Sequence, residues 1–162
     1  MILSTRAAQP ADLGLIHQFI CDLADYEKLR HEVRADPETL GSYLFGASPK
    51  AEVLIGEIDG DPQGFALFFT NFSTFEGRPG LYLEDLFVAP DARGTGLGTA
   101  LLARLASLAV ERDCARLEWS VLDWNQPALD FYRALGAMPM NEWTVQRLDG
   151  AALINLAAKS SS

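Results

Sequence analysis

Cysteine and histidine are scarce in this chain, with two of each among 162 residues. Cys21 and Cys114 lie far apart and share no metal-ligand spacing with His17 or His31, which excludes a sequence-encoded zinc site and a disulfide framework. Both cysteines read as small apolar residues of a reducing compartment. No apolar run approaches the ~20 residues that cross a bilayer. The first residues also lack the basic-then-apolar build of a secretory signal, so a cytoplasmic protein is expected. Positive charge is short as well: 13 Lys and Arg stand against 22 Asp and Glu, a formal net charge of −9. That removes the basic face on which non-specific nucleic-acid binding depends. The acidity suits a cationic small substrate and equally suits plain solubility, and net charge does not choose between them. Repeats and low-complexity linkers are missing apart from Lys159-Ser160-Ser161-Ser162. One domain over residues 1–158 and a disordered tail over 159–162 are expected.

What is present alternates between strand and helix signals. Residues 2–8 read as a strand; Pro10 and Asp12 then open a helix with Leu13, Ile16, Ile20 and Leu23 on one face. Asp36-Pro37-Glu38 is a second helix start, with an N-cap and a proline at the first position. Strand candidates follow at 52–58, 63–71 and 82–88, the first two joined by a turn at Asp59-Gly60-Asp61-Pro62. A helix beginning at Leu97 carries Leu101, Leu105 and Leu108; residues 116–122 are strand-like, and 125–135 form a short helix that Gly136 terminates. Two last strands are expected at 139–148 and 151–157, joined by a hairpin at Asp149-Gly150. The order β-α-α-β-β-β-α-β-α-β-β implies an α/β (α+β) fold: a mixed sheet of about seven strands with helices on both faces.

The stretch with most chemical content is Arg93-Gly94-Thr95-Gly96-Leu97-Gly98, between a strand and a helix. Alternate glycines strip side chains from the turn and leave amide N–H groups free to face an anion, with the positive end of a helix dipole behind them. A dinucleotide fingerprint starting at Gly94 requires glycine at position 99, which is Thr99; starting at Gly96 it requires glycine at 101, which is Leu101. A Walker loop fails too, because no Gly-Lys-Ser/Thr follows. The pattern that does fit is Arg-x-x-Gly-x-Gly after a strand ending in Phe87-Val88.

With that loop, Arg6-Ala7-Ala8 and Asp12 near the start, and Asn125…Tyr132-Arg133…Gly136-Ala137 near the end, nearly the whole chain resembles the Gcn5-related N-acetyltransferases (GNAT). Tyr26-Glu27, Phe72-Ser73-Thr74-Phe75, Tyr82-Leu83-Glu84-Asp85 and Val121-Leu122-Asp123-Trp124-Asn125-Gln126 are similar to the diamine acetyltransferase branch, and within it to the thialysine N-epsilon-acetyltransferases. The resemblance implies a mostly antiparallel central sheet, acetyl-CoA as co-substrate, a small primary amine as acceptor, and a homodimer. Backbone amides of Gly94, Thr95, Gly96, Leu97, Gly98 and Thr99 would hold the pyrophosphate. Arg93 would either add charge there or stay in solvent. Leu86, Phe87 and Val88 would run beside the pantetheine arm, with the amides of Leu86 and Val88 pairing to it like an added strand.

Glu84, near the end of the strand before the loop, can accept the ammonium proton directly or through water, and the resemblance assigns it the base role. Alternation sends Asp85 to the other side, so one of the pair serves structure or a neighbouring subunit, and Glu84 is preferred for chemistry. Asn125 and Tyr132 are seven residues apart and share a helix face. The resemblance puts Asn125 and Pro127 on the pantetheine side and makes the Tyr132 phenol the acid for the departing thiolate. An N-cap role for Asn125 and a core role for Tyr132 are the structural alternatives. For the acceptor, the candidates are Tyr26, Glu27, Phe75, Glu84, Glu118, Trp119 and Glu142. Phe72 and Phe75 would wall the pocket or pack a hairpin loop. No cysteine or serine sits near a base, so direct attack in a ternary complex is expected, without an acetyl-enzyme or a metal. The rival readings are a non-catalytic acyl-CoA-binding sensor module, or transfer to an aminoglycoside or a protein N-terminus.

Overall fold

The computed structural model describes residues 1–161. The chain divides into two compact units, Met1–Leu122 and Asp123–Ser162. In the first unit the strands are β1 (Leu3–Ala7), β2 (Glu52–Ile58), β3 (Asp61–Ser73), β4 (Arg78–Val88) and β5 (Leu117–Trp119). They lie side by side in chain order, antiparallel except for the parallel β4–β5 pair. Three helices accompany them: α1 (Leu13–Tyr26), α2 (Pro37–Phe45) and α3 (Leu97–Glu111).

Both faces of the central strands are buried, and alternate side chains meet helices on opposite faces. Val53, Ile55, Phe65, Leu67 and Phe87 pack with Ile16 and Phe19 of α1 and Leu44 of α2; Phe19 stacks on Phe65 at 5.6 Å between centroids. The alternate positions Gly56 and Gly64 lie against Leu97 and Leu101 of α3, whose Leu97, Leu101 and Leu105 are fully buried. Local signals fix the ends of these elements. Asp36 caps α2, accepting from the Thr39 amide at 2.8 Å, with Pro37 in the first turn. Arg6 on β1 grips both carboxylate oxygens of Asp12 (2.8 and 3.0 Å) and donates through Nε to Glu57 of β2 at 2.6 Å. This pairing holds the Asp12 carboxyl below its ordinary range and ties the entry to α1 onto the edge of the sheet.

The second unit contains α4 (Gln126–Ala134), which ends at Gly136, and α5 (Gly150–Ala157). Two expectations are corrected here. The described residues contain five strands and not about seven: 139–148 has no strand partner, and 151–157 is helical. Asp149-Gly150 starts a helix instead of turning a hairpin, with the Leu153 amide bonding the Asp149 carbonyl at 3.3 Å. The physical reason lies in Ala151-Ala152-Leu153-Ile154-Asn155-Leu156-Ala157, which is rich in strong helix formers and has no period-two alternation. Part of the tail expected over 159–162 is Ser162, which lies outside the described residues. Among the described residues no helix is long and apolar enough to cross a membrane.

Candidate functional site

The site begins with an inequality in strand length. β5 pairs with β4 only from Leu81 to Leu83, while β4 continues to Val88 and stays bonded to β3 throughout. From Glu84 onward, no strand among the described residues pairs with the other edge of β4. The Ala89 amide donates to the Gln63 carbonyl at 2.8 Å on the β3 side. The Val88 carbonyl, at the opposite end of that same peptide, therefore points to the unpaired edge, and alternation sends the peptide groups of Leu86 the same way. These are the two residues expected to pair with an extended ligand.

Within this segment β4 carries a bulge. Leu83 lies opposite Phe68 and Asp85 opposite Leu67, so Glu84 is an extra residue without a partner on β3. Phe68 and Leu67 are neighbours and face opposite sides of the sheet. The bulge thus moves the odd-numbered side chains of β4 from the α3 face, where Leu83 sits, to the α1 face, where Phe87 packs. Asp85 follows Phe87 to the α1 side. There its carboxyl is pushed up to about 7, by burial first and then by the negative charges of Glu84 and Glu27. Glu27, at the C-terminal end of α1, is raised by burial. Glu27, Glu84 and Asp85 thus form one electrostatic cluster. The register places Asp85 on the face that Leu67 shares with α1.

Past Val88 the chain makes a short turn and enters the glycine loop. Gly94 and Gly96 have φ of +78° and +92°. At Gly94 an added Cβ would meet nothing within 4 Å, so conformation, not space, requires glycine there. Thr95 braces the turn by donating its hydroxyl to the Ala92 carbonyl at 2.6 Å. The α3 ladder starts only with the Ala100 amide, bonded to the Gly96 carbonyl at 2.9 Å. Before it, the amides of Gly94, Thr95, Gly96, Gly98 and Thr99 have no protein acceptor among the described residues, and the Leu97 amide makes only a 3.4 Å contact to the Thr95 hydroxyl. Consecutive free amides at the head of a 15-residue helix suit a phosphate group. Arg93 is exposed; its Nε donates to the Val88 carbonyl at 3.2 Å, and its guanidinium carbon lies 4.9 Å from the centroid of the Tyr26 ring.

The remaining candidates are more dispersed. Trp119 and Glu118 stand opposite Leu83 and Tyr82 on β5, and Glu118 is bonded to Arg116 at 3.2 Å. Phe72 and Phe75, near the tip of the β3–β4 hairpin, are 65% and 96% exposed. In the second unit Asn125 caps α4, its Oδ1 accepting from the Ala128 amide at 3.4 Å. Pro127 lies in the first turn of that helix, and the Tyr132 ring lies 5.5 Å from that of Phe131. Glu142 is exposed in an irregular segment. Among the described residues no group of three His, Cys, Asp or Glu is arranged to hold a metal.

A strand edge left open beside a carboxylate cluster, and a loop of free amides at the head of a helix, are the features that a group-transfer enzyme can use. The chain belongs to the acetyltransferase (GNAT) family, whose profile matches residues 18–137, and it is an N-acetyltransferase. It is similar to the thialysine N-epsilon-acetyltransferase of Bos taurus, 39% identical over 165 residues and covering 95% of this chain and 96% of that protein. It is also similar to the L-ornithine N5-acetyltransferase of Arabidopsis thaliana, 30% identical over 198 residues, 94% of this chain and 87% of that one. Among solved structures, an integron cassette protein from the mobile metagenome of V. cholerae superposes with a TM-score of 0.79 at 29% identity, covering 99% of both chains.

Proposed function

We propose that this enzyme transfers the acetyl group of acetyl-CoA to a primary amine of a small cationic substrate, a diamine, polyamine or thialysine-like amine, by direct attack in a ternary complex. The observation that carries the reading is the open edge of β4, which runs from the carboxylate cluster to the glycine loop. An extended pantetheine arm pairs with the amides of Leu86 and Val88, and its pyrophosphate takes up the amides from Gly94 to Thr99. The thioester then lies toward the Glu84 end of the strand.

There the cluster of Glu27, Glu84 and Asp85 attracts an ammonium group. Glu84 removes one proton from it, and the freed lone pair attacks the thioester carbonyl. The N–C bond forms, the C–S bond breaks, and the thiolate leaves with a proton supplied by the Tyr132 phenol on the family pattern; the nitrogen sheds its second proton to solvent as the amide forms, and the phenolate regains one from solvent. Asn125 and Pro127 attend the donor. Tyr26, Phe75, Glu118, Trp119 and Glu142 are assigned to the acceptor on the same pattern, and the enzyme works as a cytoplasmic homodimer. The relatives named for acetylating thialysine and ornithine support an amino-acid-like amine.

The test is release of free thiol from acetyl-CoA with thialysine, ornithine, spermidine and 1,3-diaminopropane as separate acceptors. Turnover with at least one of them is expected. Turnover confined to an aminoglycoside or a peptide N-terminus would overturn the acceptor assignment.

A further inference from the structure

Arg93 opens the glycine loop, yet its side chain points back across the end of β4. It makes three contacts there. Nε donates to the Val88 carbonyl at 3.2 Å. The guanidinium carbon lies 4.9 Å from the Tyr26 centroid and 6.0 Å from that of Phe87. Val88 and Phe87 belong to the strand edge assigned to the donor. Tyr26 is the last residue of α1, and the next residue is Glu27, a member of the carboxylate cluster. One cation therefore touches the donor edge and the end of the helix that presents the acceptor carboxylate.

We propose that Arg93 is a positioning residue for the amine acceptor, holding Tyr26, and through it Glu27, against the end of β4. A planar guanidinium can lie over a ring while an in-plane N–H bonds a carbonyl; an ammonium has no such geometry. Both ends of the contact are exposed, so the hold is of moderate strength. The Glu27 and Leu29 amides, bonded to the Leu23 and Ala24 carbonyls at 2.9 and 2.8 Å, belong to the turn it steadies.

The inference rests on the proposed amine acetylation, and its test separates the two. The variants are Arg93→Lys, Tyr26→Leu and the double variant. With thialysine as acceptor, Arg93→Lys and Tyr26→Leu are each expected to raise the amine KM about three- to thirtyfold. The double variant should be no worse than the poorer single one. The acetyl-CoA dissociation constant, read by calorimetry, is expected to change by less than about threefold in Arg93→Lys. Hydrogen exchange on the ligand-free protein supplies a readout that needs no substrate: Glu27 and Leu29 amides should exchange faster in Arg93→Lys. Wild-type protein inactive on thialysine but showing this exchange pattern would sink the acceptor assignment and leave the positioning role standing. Additive losses in the double variant, or a weakened acetyl-CoA affinity with an unchanged amine KM and unchanged exchange, would overturn it and make Arg93 a donor contact.

Discussion

Asp85 stands opposite Leu67 across the β3–β4 ladder, on the face that α1 covers. A carboxyl among the neighbours of Phe19, Phe65 and Phe87 is costly to ionise, and Glu84 and Glu27 add to that cost.

The sign of this cost can be tested through stability. The Asp85 pKa is pushed up to about 7 in the folded protein and is near 3.9 in an unfolded chain. Between these values the folded form keeps a proton that the unfolded form has lost, so stability contributed by Asp85 falls as pH rises from about 4 to about 7, then levels off. Asp85→Asn removes the ionisation. It should stabilise the protein by about 1–3 kcal/mol at pH 8 and by much less at pH 5. Urea unfolding at the two pH values measures this, and equal effects at both would show that the carboxyl does not titrate in that window.

Glu84→Gln removes the proposed proton acceptor without changing its size. Turnover should fall by about a hundredfold, and the loss should deepen toward lower pH, where more of the amine arrives protonated. A pH–rate profile parallel to wild type would take Glu84 out of the base role.

Tyr132→Phe keeps the ring beside Phe131 and deletes the phenol. The expected result is a kcat lowered about ten- to a thousandfold with little change in the KM for acetyl-CoA. Replacing the thioester by one with a more acidic thiol leaving group should restore part of the lost rate, since that thiolate needs less help to depart. An unchanged kcat under conditions where chemistry limits turnover would remove Tyr132 from the acid role.

Gly96→Ala tests the loop through its backbone. At φ +92° a Cβ is strained, while the closest atom it would meet, Leu3 Cδ1 at 3.6 Å, is at ordinary contact distance. The cost is therefore conformational, about 1–2 kcal/mol, and should appear as a Tm lowered by about 2–8 °C with a raised KM for acetyl-CoA. An unaltered amine KM is part of the expectation, and a variant that loses only amine affinity would count against the donor role of the loop.

Much of the first unit was legible from residue order. Helix starts at Pro10 and Asp36-Pro37, the turn at Asp59-Gly60 and the break at Arg93–Gly98 are local signals, and the structure uses each of them. Two features were not legible, for different reasons. The bulge at Glu84 comes from pairing with β3, and no property of Leu83-Glu84-Asp85 announces it. At the C-terminal end, the Asp149-Gly150 turn signal competed with seven residues of high helix propensity, and the longer stretch prevailed. The Arg93 side chain illustrates a third limit. Motif matching attends to what a loop arginine offers a ligand, whereas the fold puts Tyr26 and the Val88 carbonyl within its reach.

The shortness of β5 has a consequence for how such an enzyme diversifies. A strand that grips its donor through peptide N–H and C=O groups makes no demand on the identity of its own side chains there. Leu86 and Val88 can then change with the packing around them while the same grip persists, and the neighbouring carboxylates can be retuned toward a different amine. Under the proposed pairing, donor recognition is written in the backbone and acceptor choice in the side chains, so one can be inherited unchanged while the other drifts.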